Sequence, residues 1–355
     1  MKFRNYYFLI LILLTIINYE IEKLMCNKRK NDLERINKKL YISNQITNIY
    51  SILYDKAREG YNKPKYESKE KIYNFTKKKG ICICSISKKE NLYIREFVEY
   101  YFLLGIKKII IYDNNDIDGE KLEEVISDFI INKFVEIIDV RGLTSIQIPI
   151  YNYCYQRNKD IFDWIGFVDI DEYVYIKNNT NINSFIHKKT FSKCELIFLN
   201  WLIYNDNDII KYKNKPLAER FKKAKTFFNQ GKSFVRGGFK NLLMPSTHIP
   251  GININYYCNS NGKRIYPKDF FSNQIENMPQ AYIKHYYTKT VEEFCKKIKK
   301  GNAHFNVNHP DYIGSIKARV RFFFLWNEIS EYKINILEKC TGLNLNEYKK
   351  NKIKL

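Results

Sequence analysis

The stretch WIGFVDIDEYVYI, Trp164 to Ile176, reads as an apolar strand interrupted by three carboxylates, Asp169, Asp171 and Glu172. Residues two apart on an extended segment share a side, so Asp169 and Asp171 present their oxygens together while Ile170 turns inward. Two carboxylates this close repel, and burying them unpaired costs several kcal/mol or forces one to protonate. A divalent cation removes the conflict. Oxygen ligands suit Mn2+ or Mg2+, which keep waters and take further positions from phosphates. A helix cap or a solvated turn would also account for the pair, so the surrounding sequence has to decide.

Strand and helix patterns alternate around it. ICICSI (81–86) is a continuous apolar run of the kind buried on both faces of a sheet. NLYIREFVEYYFLLG follows as a helix, with Ile94, Phe97, Val98 and Tyr101 on one stripe and Gly105 as its stop. KKIIIYD (107–113) is a second strand, 119–131 a second helix, VEIIDV (135–140) a third strand and 147–157 a third helix. WIGFVDID is then the fourth strand. Repeated β-α units predict a Rossmann-like, mostly parallel sheet flanked by helices, with right-handed crossovers. Ligands of such sheets bind beyond the carboxyl ends of the strands, which is where Asp113 and Asp169 fall. A phosphohydrolase reading of D-x-D is excluded, because those enzymes carry Thr or Val two residues later and place the motif after the first strand; here Tyr173 follows a fourth strand.

The 355 residues divide into an anchor (1–26), a stem and linker (27–80), an α/β domain (81–310) and C-terminal helices (311–355). Tyr6 to Ile17 is an apolar run behind Lys2 and Arg4, shorter than the ~20 residues a full span needs, and no small-residue cleavage site follows. It reads as an uncleaved single-pass signal-anchor. Leu33, Ile36 and Leu40, then Ile46, Ile49 and Leu53, recur at helical spacing and suit a stem through which copies could associate. Gly60 and Pro64 break that pattern. Sixty Lys and Arg against 38 Asp and Glu give a net charge of +22, which favours anionic partners. A non-catalytic basic protein holding nucleic acid or an anionic glycan is the alternative function; no nucleic-acid-binding motif supports it, and nucleic acid is not an expected partner. Eight cysteines could pair in an oxidising lumen, although Cys82, Cys84 and Cys154 read more simply as small buried residues. Asn74 and Asn178 head sequons that matter in a eukaryotic secretory compartment.

Four ordered blocks resemble glycosyltransferase family 92, which is related to the family 2 enzymes. They are KKENLYIREFVEYYFLLGIKKIIIYDNNDIDG; the opening stretch preceded by Gln147 and Asn152; NWLIYND with LAERF; and IKHYYTKTVEEFCKKIKKG. Lys89-Glu90-Asn91 departs in order from the family pattern, and Asn115 stands where a Ser is usual.

The resemblance implies a GT-A fold, a nucleotide-sugar donor, a glycan or glycoconjugate acceptor, inverting hexose transfer, and residence in the Golgi or ER lumen if the source is eukaryotic. Asp169 and Asp171 would hold Mn2+ or Mg2+, with His285 as a third ligand and Lys289 reaching the diphosphate as a point charge. Asp113, Asp116 and Asp118 follow the second strand, where a nucleoside would lie, although DNNDIDG is also turn chemistry. Glu90 could contact the nucleotide, or close a capping box with Ser87. Inversion needs a base for the acceptor proton, and Asp206 is the candidate, with Asp208 and Glu219 as rivals. Trp201 could stack on a sugar or simply fill the core. Thr290-x-x-Glu293 reads as a capping box, which makes Glu292 and Glu293 structural.

Overall fold

The alternation of short apolar runs and amphipathic stripes folds as β1 (Ile81–Ser87), α1 (Asn91–Leu104), β2 (Lys108–Asp113), α2 (Glu123–Ile131), β3 (Val135–Asp139), α3 (Gln147–Asn158) and β4 (Trp164–Phe167). The structure is a computed structural model and describes residues 27–28, 30–42, 44–45, 48, 79–144, 146–179, 181–240, 242–244, 246–248, 254–266, 279–300, 312–346 and 348. β1 pairs in parallel with β2 on one side and β4 on the other, and β2 pairs in parallel with β3. The order β3-β2-β1-β4 reverses direction between β1 and β4, so the crevice of this α/β sheet opens beyond Ser87 and Phe167. Gly105 caps α1 in the left-handed region at φ 92°, as its place in the sequence predicts.

The opening stretch is not one strand. After Phe167 the chain makes a turn over 168–171, and β5 (Glu172–Ile176) leaves for the far edge of the sheet. There it pairs antiparallel with β10 (Ala281–His285). A parallel neighbour needs a crossover of a dozen residues or more, and a four-residue turn cannot supply one. The expectation of a mostly parallel sheet therefore holds for β1 to β4 and fails beyond them. β7 (Ala224–Arg236) lies antiparallel between β4 and β6 (Leu196–Tyr204), while β10 runs parallel to β6. Gly166 permits the β4–β7 contact, because a Cβ there would stand 2.4 Å from the Phe234 ring. Two further short strands, β8 (Tyr257–Cys258) and β9 (Arg264–Ile265), extend from β6.

Short helices α4 (Ile182–Ile186) and α5 (Leu217–Arg220) lie within connections, and α6 (Val291–Lys299), α7 (Tyr312–Trp326) and α8 (Glu331–Thr341) follow β10. The C-terminal helices pack on the domain: Val291, Phe294 and Ile298 share a core with Val320, Phe323 and Leu337. Among the described residues three disulfides reinforce these contacts. Cys84–Cys154 joins β1 to α3, Cys194–Cys258 joins the start of β6 to β8, and Cys295–Cys340 joins α6 to α8. The reading of Cys84 and Cys154 as merely small is thus corrected, since α3 lays Cys154 over β1 with the two Cα atoms 6.4 Å apart. Cys82 is buried and free.

The chain divides into two units, Met1–Asn48 and Ile49–Leu355. In the first, residues 30–42 are helical, and Leu33, Ile36 and Leu40 are exposed. The apolar run 6–17, the linker around Gly60 and Pro64, Cys26 and the Asn74 sequon lie outside the described residues. Among the described residues no helix is long and apolar enough to cross a membrane.

Candidate active site

The turn 168–171 is fixed before any ligand arrives. The Ser85 hydroxyl donates to the Val168 carbonyl at 2.8 Å, and the Glu172 N–H donates to the Asp169 carbonyl at 3.0 Å. The Asp169 N–H in turn donates to Glu172 Oε2 at 2.8 Å. Ile170 points into the core as expected. Its two neighbours do not share partners. Asp169 accepts from Gln147 Nε2 (3.1 Å) and Tyr151 Oη (3.0 Å) on α3, and from Lys232 Nζ (2.9 Å) on β7. Asp171 accepts from Lys297 Nζ (2.6 Å) on α6.

These lysines resolve the repulsion that the sequence raises. Burial alone would push the Asp171 carboxyl up, but the Lys297 ammonium overrides it and holds it well below the usual carboxylate range. Burial likewise opposes charge on Asp169, and Lys232 draws it down. Glu172 takes the opposite course. It is fully buried, Lys232 stands 3.9 Å off, and burial together with repulsion from Asp169 and Asp171 pushes its carboxyl well above the usual range. Among the described residues its Oε1 has no hydrogen-bond partner. His285, opposite Glu172 across β10 and β5, is pushed down to about 3 by burial and is a neutral imidazole.

Around this turn lies a cavity of about 480 Å³. Asp169, Asp171 and His285 form one wall; Glu90 and Asn114 come from the ends of β1 and β2; Lys297, Lys300 and Arg319 supply positive charge. Trp201, Tyr287 and Phe322 supply aromatic surface. Trp201 is both core and wall: 5% exposed, with its ring centroid 4.4 Å from that of His285.

Of the residues singled out in the sequence, Asp169, Asp171, His285 and Glu90 meet at this cavity, and five do not. Asp113 is buried at the end of β2, where Arg141 Nε (2.8 Å) and the Asn115 N–H (2.9 Å) occupy its carboxylate. Asp116 and Asp118 are exposed on the following turn, Asp116 paired with Lys89 at 2.9 Å, and Asn114 reaches the cavity in their place. Lys289 faces a different cavity. Asp206 is 1% exposed and bound to Lys333 at 2.8 Å, so it ties the end of β6 to α8 and has no access to the cavity. Its rivals fare no better: Asp208 also pairs with Lys333, and Glu219 lies exposed in α5.

The Ser87–Glu90 capping box does not form. Glu90 is the N-cap of α1 without a side-chain cap bond, because its carboxylate contacts the Lys300 ammonium instead. The Thr290–Glu293 box does form, and Glu293 also receives Arg220 at 2.8 Å. Sequence reasoning missed Lys232 and Lys297. A lone lysine inside the buried end of β7 was the available signal for the first, and a place in the last of the four blocks for the second.

Whether a divalent cation suits these residues turns on two atoms. Asp171 Oδ1 and His285 Nε2 face each other at 3.7 Å, too far to hydrogen-bond, and His285 Nδ1 has no partner. Asp169 also lines the cavity, but its oxygens already accept from Gln147, Tyr151 and Lys232. Among the described residues no group of three or more His, Cys, Asp or Glu side chains converges on a point. Two protein ligands, completed by water and phosphate oxygens, fit the habits of Mg2+ and Mn2+.

A family model described as glycosyltransferase family 92 matches residues 77–321. Curated relatives include a family 92 protein of Ricinus communis, 27% identical over 112 residues (32% of this chain and 20% of that protein), and one of Arabidopsis thaliana, 30% identical over 115 residues (32% and 19%). The match spans about a fifth of the length of these relatives. Among solved structures, TarS of S. aureus aligns with a TM-score of 0.32 at 10% identity, covering 78% of this chain and 46% of that one. The mannosyltransferase PcManGT of Pyrobaculum calidifontis, in complex with GDP-Man and Mn2+, aligns at 0.26 and 8%, covering 46% of each chain. Likeness this weak places no residue.

Proposed function

The chain belongs to glycosyltransferase family 92, and from that premise we propose that it transfers a hexose from a nucleotide sugar, a UDP-sugar by preference, to a hydroxyl of a glycan or glycoconjugate. The proposal includes a GT-A architecture, inversion at the anomeric carbon, and Mn2+ or Mg2+ held by Asp171 and His285. The observation that carries it is the pair of facing ligand atoms, Asp171 Oδ1 and His285 Nε2, on the wall of a cavity at the switch point of the sheet.

When bound, the cation acts as a Lewis acid that offsets charge on the departing diphosphate. The chain's own residues do the rest. Lys297, Lys300 and Arg319 line the same cavity and place positive charge where phosphates would lie. Lys232, Gln147 and Tyr151 hold Asp169, which fixes the turn that aims Asp171. Glu172, whose carboxyl is pushed well above the usual range by burial, accepts from the Asp169 N–H and so braces the same turn. The indole of Trp201 and the ring of Phe322 offer faces to a pyranose. Glu90 and Asn114, at the ends of β1 and β2, are placed for the nucleoside. Asp206 is withdrawn as the base for the acceptor proton.

Three disulfides suit an oxidising lumen, and membrane attachment through the apolar run 6–17 accords with a secretory-pathway enzyme. The test is a donor screen: detergent-solubilised full-length chain is incubated with individual UDP-hexoses and Mn2+, and UDP release is followed. No release from any nucleotide sugar would remove the proposal.

A further inference from the structure

A second cavity, of about 720 Å³, adjoins the first, and Glu90, Tyr287, Lys297 and Lys300 belong to the walls of both. Six lysines line it, at positions 89, 289, 296, 297, 299 and 300, against the glutamates 90, 120 and 293. Most of the carboxylate oxygens are already engaged, Glu90 Oε2 being an exception among the described residues. Glu293 is held by Arg220, Tyr93 and the Thr290 N–H, Glu120 accepts from the Asn91 N–H, and Glu90 contacts Lys300. Three of the lysines are engaged elsewhere as well: Lys297 on Asp171, Lys296 on Glu292 and Lys89 on Asp116. Among the described residues, Lys289 and Lys299 are left without a hydrogen-bonded carboxylate.

Lys289 is the telling one. It is 5% exposed, its ammonium lies 3.3 Å from the centroid of the Tyr93 ring, and its nearest carboxylate oxygen, Glu90 Oε2, is 3.7 Å away. That separation exceeds a hydrogen bond, and Glu90 makes its shorter contact with Lys300. The Lys289 backbone also sits in the left-handed region at φ 50°, a strained conformation for a residue with a Cβ. An ammonium buried without a hydrogen-bonded partner is costly, and burial pulls its pKa down. A ligand anion would relieve that cost. Lysines act on phosphate as point charges, and two surplus positive charges match a phosphate monoester, which carries about −1.5 to −2 at pH 7.

We propose that this second cavity binds a phosphate monoester carried by the acceptor, so that the acceptor's hydroxyl enters the first cavity across the shared wall of Glu90, Lys297 and Lys300. The assignment to an acceptor rests on the donor occupying the first cavity; the phosphate site itself does not.

Isothermal titration of the full-length chain with inorganic phosphate, a hexose 6-phosphate and the free hexose, each with and without saturating UDP and Mn2+, separates the possibilities. The expected result is that both phosphates bind, the free hexose does not, and UDP leaves hexose-phosphate affinity unchanged. Lys289→Met then weakens hexose-phosphate binding roughly tenfold, Lys289→Arg retains part of it, and Lys299→Ser, at an exposed position, gives a smaller loss even if Lys289→Met fails to fold. Displacement of the hexose phosphate by UDP would assign the cavity to the donor and overturn the proposal. Binding that is absent in the wild type, or unchanged in both the Lys289 and Lys299 variants, overturns it as well. Failure of UDP to bind, with phosphate binding intact, strikes the donor reading alone.

Discussion

The Lys297 ammonium stands 2.6 Å from Asp171 Oδ2 while the other oxygen of that carboxylate faces His285. One carboxylate thus pairs with a fixed ammonium from α6 on one side and faces an imidazole on the other. Lys297 makes the Asp171 charge tolerable inside the protein, and it lines the same cavity.

Removing that ammonium should strand a buried charge. Lys297→Met is expected to destabilise the metal-free protein by about 3 kcal/mol, the lower end for breaking a buried pair. Mn2+ should then restore more stability to the variant than it adds to the wild type. Thermal unfolding with and without Mn2+ checks this, and an equal metal-induced shift in both proteins would refute the charge-balance reading.

Lys232 and Asp169 form the companion pair, and Lys232 is fully buried. Lys232→Met should cost about 3–5 kcal/mol. Adding Asp169→Asn should recover part of that loss, because the charge left without a partner is gone. Denaturant unfolding of the two single variants and the double gives the coupling, and additive losses would contradict the pairing.

The two buried titratable neighbours have opposite signs. His285 has a folded pKa of about 3, below the roughly 6.5 of an unfolded histidine. Its stabilising effect is complete above pH ~6.5 and is lost as pH falls toward 3. Glu172 has a raised folded pKa, so its effect is complete below about 4.3 and is lost as pH rises. At pH 7 Glu172→Gln should therefore be as stable as the wild type or more so, with the advantage shrinking toward pH 4. His285→Gln should flatten the decline in stability between pH 6.5 and 5. Thermal melts across pH 4 to 7.5 decide both points.

Cys295–Cys340 closes 45 residues between α6 and α8, and α6 carries Lys297. The chain-entropy model assigns such a closure about 4 kcal/mol. The double variant Cys295→Ser, Cys340→Ser should unfold correspondingly earlier and lose affinity for UDP as α6 loosens. Unchanged UDP affinity would show that the disulfide does not position the site.

Much of the fold was legible in the sequence, because β1 to β4 and their helices have the lengths and apolar periods of repeated β-α units. The break in the opening stretch was not. VDID continues the strand pattern, and only the pairing of Glu172 with His285 across β5 and β10 shows that the chain has turned away. Asp171 stood out as one of two carboxylates two residues apart and His285 through the family resemblance, and the structure brings both to one cavity. Asp206 misled because a carboxylate at a strand end looks available until its distant partner, Lys333 on α8, is placed beside it. Lys232 and Lys297 were missed for the same reason: in a chain with 60 basic residues, a lysine that answers a buried carboxylate looks like any other.

The most direct measurement is UDP release from UDP-hexoses by the full-length wild type and Asp171→Asn, each with Mn2+ and with chelator. If Asp171 helps hold the cation, release requires Mn2+ in the wild type and falls roughly 100-fold or more in the variant, equivalent to about 3 kcal/mol of charge stabilisation. Equal release by the two proteins, or release indifferent to chelator, would contradict it.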